Sequence, residues 1–74
     1  PNDVWSTGAG PILLSADFRF LWVQLTKIMG VNDPTSKDTP LPEKIATRRG
    51  IVAEYMFALK DWTQVEDAMH AMNL

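Results

Sequence analysis

The sequence predicts an all-α fold: a small three-helix domain with an extended apolar N-terminal arm. Two observations carry this. Apolar residues recur at three- and four-residue steps in three separate stretches, and each stretch has helix-boundary residues at its ends. The expected division is an arm over residues 1–14 and a helical domain over 15–74, with helices at about 16–29, 43–59 and 62–73.

The first helix is the densest apolar stretch, S-A-D-F-R-F-L-W-V-Q-L-T-K-I-M-G over residues 15–30. At ~100° per residue, Phe18, Leu21, Trp22, Leu25, Ile28 and Met29 share one face. Phe20 and Val23 fall on the opposite side, near Lys27. Ser15 is the expected N-cap, and Gly30 the expected left-handed C-terminal cap. A helix with two apolar faces needs two surfaces to bury them.

Residues 31–42, V-N-D-P-T-S-K-D-T-P-L-P, read as a polar connection with three prolines and two turns. Proline is tolerated in a first helical turn, so Pro40 or Pro42 opens the second helix. Its main stripe is Ile45, Val52, Tyr55, Met56 and Leu59. A second strip, Ala46, Gly50, Ala53 and Phe57, is mostly small and is the expected contact for the first helix. Gly50 is a candidate kink, costing ~1 kcal/mol relative to Ala. Asp61 with Gln64 resembles a capping box, opening a third helix whose stripe is Trp62, Val65, Met69 and Met72.

The arm mixes breakers (Ser6, Thr7, Gly8, Gly10, Pro11) with Val4, Trp5, Ile12, Leu13 and Leu14. That apolar content is too high for a solvated tail. Two destinations remain open: the arm folds back over its own helices, or it docks on a neighbouring subunit.

Composition narrows the function. The 74 residues include no cysteine and one histidine, which removes disulfides, thiolate zinc sites and cysteine nucleophiles. A domain this small is marginal unless something is added, and a partner is the addition left. The net charge is −2, so the chain is not an electrostatic binder of nucleic acid or of anionic membrane. No apolar run is long enough to span a bilayer, and no membrane association is expected. The chain reads as soluble, in the cytoplasm or within an intracellular assembly.

Several constellations invite a chemical reading, and none holds. Residues 6–11, S-T-G-A-G-P, lack the strand, helix and Lys-Ser/Thr pair of a phosphate loop. Glu66 and His70 stand one turn apart, too few for zinc. No serine sits in a nucleophile motif, and Pro1 lies in a turn-like Pro1-Asn2-Asp3. Helices two and three invite a helix-turn-helix comparison, but the third carries Asp61, Glu66 and Asp67 and no Lys or Arg. No enzyme activity, cofactor or metal is expected.

The expectation is a non-enzymatic helical interaction or structural subunit, completed by oligomerisation or by docking into a larger complex. Its partner-binding residues would be Trp5, Ile12, Leu13, Leu14, Phe20 and Val23, the excess apolar surface. The alternative is a small nucleic-acid-associated or regulatory module contacting phosphate through Lys44, Arg48 and Arg49. Ion pairing of those arginines with Asp or Glu is the simpler reading.

Overall fold

The computed structural model describes residues 3–74; Pro1 and Asn2, the start of the expected arm, lie outside the described residues. The element order is β1 (Asp3–Thr7), β2 (Gly10–Leu14), α1 (Phe18–Lys27), α2 (Leu41–Phe57) and α3 (Trp62–Ala71). The fold is therefore mixed α and β, which corrects the all-α expectation. The arm is a two-stranded antiparallel hairpin, not an extended segment beside a helical bundle.

Its register pairs Asp3 with Leu14, Trp5 with Ile12 and Thr7 with Gly10. Side chains alternate along each strand. Asp3, Trp5 and Thr7 turn inward, and Val4 and Ser6 outward. Opposite them, Ile12 and Leu14 turn inward, and Pro11 and Leu13 outward. The turn is held by a buried threonine. Thr7 Oγ1 accepts from the N–H groups of Ala9 and Gly10, both at 3.1 Å, and donates to the Gly10 carbonyl. Gly10 has φ +135°, which few other residues adopt. The S-T-G-A-G run is thus a hairpin turn docked on the α2–α3 joint, where the Gly8 N–H reaches the Leu59 carbonyl at 2.6 Å.

The helices begin and end for local reasons. The cap of α1 is Asp17, whose side chain accepts from the Arg19 N–H; Ser15 stands two residues too early because β2 is still pairing at Leu14. Gly30 has φ +73°, and the Val31 N–H returns to the Leu25 carbonyl, as a left-handed C-terminal cap requires. α2 opens at Pro40 and Pro42 and passes Gly50 as one continuous helix. Asp61 accepts from the Gln64 N–H at 2.9 Å. Gln64 answers by accepting from Lys60 N–H at 2.7 Å, one residue earlier than the usual reciprocal bond. At the far end of α3, Gln24 of α1 donates to the otherwise free carbonyl of Met72 at 2.9 Å.

One core joins all five elements. Trp5, Leu21, Trp22, Leu25, Val52, Met56, Ala68 and Met72 are buried in a single cluster, with Ile12, Leu14 and Phe18 packed against it. The strip Ala46, Gly50, Ala53 and Phe57 faces solvent, which corrects its assignment as the α1 contact. The face of α2 turned inward is the Val52 and Met56 stripe, covered from one side by the hairpin. No helix is long and apolar enough to cross a membrane among the described residues.

Candidate functional site

The site begins on the N-terminal half of α2, beside the first half of α1. The stripe that buries Val52 and Met56 completely continues to Ile45 and Leu41, which are 46% and 65% exposed. Beside them, Phe18, Trp22 and Val23 of α1 form the other wall of a groove of about 510 Å³. Its floor is apolar, and Arg19 and Arg48 stand along it.

The floor is fixed by an aspartate in the connection between α1 and α2. Asp33 Oδ2 accepts from Trp22 Nε1 at 3.3 Å and from Arg48 Nη2 at 2.8 Å. Its Oδ1 accepts from the Thr35 N–H and hydroxyl at 2.9 and 2.7 Å. The Arg48 guanidinium lies 5.3 Å from the centre of the Trp22 ring. One carboxylate thus ties the connection, α1 and α2 together. Burial disfavours the charged form of that carboxylate. The bonds from Thr35 and the bond and charge of Arg48 outweigh it and hold the pKa at about 2, against an ordinary 3.8.

A carboxylate with a lowered folded pKa stabilises the fold fully above its unfolded pKa, and that contribution is lost as pH falls through the folded value. Asp33→Asn should therefore lower stability at neutral pH, and the gap to the parent should close between about pH 4 and pH 2. Urea denaturation across that range measures it. A gap that stays constant down to pH 2 would show that the charge of Asp33 contributes nothing.

The expected partner residues separate into three groups. Trp5 is buried, and Ile12 and Leu14 are half-buried against the core, so these serve the chain's own fold. Leu13 is exposed on the outer face of the hairpin, opposite Val4. Phe20 and Val23 are exposed on α1, and Val23 lines the groove. Leu41 was not among the expected residues; lying between Pro40 and Pro42, it reads locally as part of a turn.

Of the basic cluster, Arg48 pairs with Asp33, and Arg49 pairs with Asp3 at 3.1 Å while lying over Trp5 and Phe18. Lys44 is half-buried and in no ion pair among the described residues. Glu66 and His70 are both exposed on α3 and line a shallow hollow with Trp62 and Met69. No group of three His, Cys, Asp or Glu side chains that could hold a metal comes together among the described residues.

No family model, no curated protein and no solved structure matches this chain.

Proposed function

We propose that this chain is a non-enzymatic interaction subunit that docks on a protein surface through the groove between α1 and α2. The observation that carries this reading is the exposed continuation of the α2 stripe. Leu41 and Ile45 line one groove with Phe18, Trp22 and Val23 of α1 and stay uncovered beside Val23. Fully burying an exposed Leu or Ile is worth about 1.5–3 kcal/mol, from which association costs are subtracted. Unlike scattered apolar residues, these adjoin across one groove, the arrangement that marks interaction sites.

The phosphate-binding alternative has less support. A phosphate reaching Arg48 or Arg49 would have to displace Asp33 or Asp3. For catalysis, His70 is exposed, and its side chain makes no hydrogen bond among the described residues that would orient it as a base.

The test is sedimentation of the chain in extracts of the cells that make it. The parent should travel in a species larger than the 8.3 kDa monomer. The double variant Leu41→Asp, Ile45→Asp should travel as monomer, while circular dichroism shows it folded. A monomeric parent, or association untouched by the double variant, would overturn the proposal.

A further inference from the structure

We infer that the groove is filled by a second copy of this chain, which presents the edge of α3 bearing Trp62 and Glu66. This rests on reading the groove as a docking surface, and charge complementarity within the single chain selects the occupant. Along the groove, Arg19 is exposed and makes no ion pair among the described residues, and the nearby Lys44 of α2 is likewise unpaired. Arg48 is held by Asp33, so its charge is largely answered. The acids closest in sequence are Asp17, whose carboxylate caps α1, and Glu43 on the exposed side of α2. The groove thus offers apolar walls with one uncommitted cation, Arg19, and Lys44 next to its Ile45 on α2.

The complementary surface lies on α3. Trp62, Glu66, Met69 and His70 recur at four-, three- and one-residue steps and line one hollow. Trp62 is 50% exposed, a large flat side chain of the kind that anchors interfaces. Glu66 and Asp67 are exposed and in no ion pair among the described residues, and α3 carries no Lys or Arg. The nearest cation, Lys60, precedes the helix and lies over Phe57. The imidazole of His70 borders the same hollow. An aromatic anchor with one free carboxylate beside it, Glu66, and a second, Asp67, ~100° further round α3 therefore face solvent on the same molecule as an apolar groove with a free cation.

The contact joins two different surfaces, so it is head-to-tail. Successive copies close into a ring or continue as an open chain, according to the rotation between them. Its charged part faces water and is screened by salt.

Sedimentation equilibrium of the purified chain tests this, at about 20 mM and about 500 mM salt. Association should be concentration-dependent and weaker by roughly tenfold or more at high salt. Two charge reversals, Arg19→Glu with Lys44→Glu and Glu66→Lys with Asp67→Lys, should each abolish it alone. Mixed in equal amounts, the two variants should associate again, because each now carries the surface complementary to the other. The milder pair Arg19→Gln and Glu66→Gln should weaken association in the same direction, which keeps the result readable if a reversal fails to fold.

A purified parent that stays monomeric at low salt and high concentration would overturn the inference. So would association indifferent to both reversals, or a mixture that stays monomeric. If the chain runs in a groove-dependent large species in extract yet alone is monomeric, the docking reading stands and the second copy is excluded.

Discussion

Replacing Trp5 with alanine should cost about 3–5 kcal/mol, the usual result for deleting a buried tryptophan. At ~0.05–0.15 kcal/mol per residue, that is a large part of the stability of a domain this size. The reason lies in what the indole joins. Trp5 is 6% exposed, its ring stacks on Phe18 with centroids 6.2 Å apart, and Arg49 covers it at 5.1 Å. Removing it opens a cavity between β1, α1 and α2 and uncouples the hairpin from both helices. Trp5→Phe should cost far less, since it keeps an aromatic ring there and discards a buried Nε1 donor that has no acceptor among the described residues. Urea denaturation followed by far-ultraviolet circular dichroism measures both. A loss below about 1 kcal/mol for the alanine variant would mean that the hairpin is not fastened through this residue.

Gly8→Ala should cost about 1–3 kcal/mol, a large effect for a single methyl group. A Cβ there would stand 2.6 Å from the Leu59 carbonyl oxygen and 3.0 Å from Lys60 Cα. Both are backbone atoms, so no side chain can swing aside; the turn must lift from the joint and weaken the Gly8 to Leu59 hydrogen bond. Gly50→Ala is the natural control. It lies within α2 with nothing inside 4 Å of an added Cβ, so it should stabilise by about 0.5–1 kcal/mol. Thermal denaturation of the two variants should move in opposite directions, and equal shifts would contradict the close approach at Gly8.

The helices were legible in the sequence because their signals are local. Gly30, the prolines before α2 and the Asp61–Gln64 pair each act within a few residues, and each stands at a helix end. The hairpin was hidden for equally local reasons. Pro11 argues against a strand, Ile12-Leu13-Leu14 shows no alternation, and Gly8-Ala9 lacks the Asn-Gly signature of tight hairpins. Thr7 supplies the turn's hydrogen bonds instead. On α2 the small residues read as packing surface, whereas the hairpin decides which stripe is covered. For the candidate site, Phe20 and Val23 could be placed on the back of α1 by spacing alone. The exposure of Leu41 and Ile45 could not, because it depends on how α1 is set against α2 in the folded chain. Nor could Asp33, whose partners Trp22 and Arg48 lie 11 and 15 residues away.

The way the hairpin is fastened also bears on the order in which the chain can assemble. A tight turn closes quickly by itself, in about 1–10 μs, yet a two-stranded hairpin is barely stable in water. Its anchors are distant: Asp3 meets Arg49 across 46 residues, and Gly8 meets Leu59 across 51. Gln24 reaches Met72 across 48 more. Each such closure costs entropy before it returns contact energy. The strands emerge before the helices in synthesis, but they are secured only when α2 and the joint beyond it have formed. Until then Trp5, Ile12 and Leu14, the inward face of the hairpin, stand uncovered, and α2 and the joint beyond it close over them.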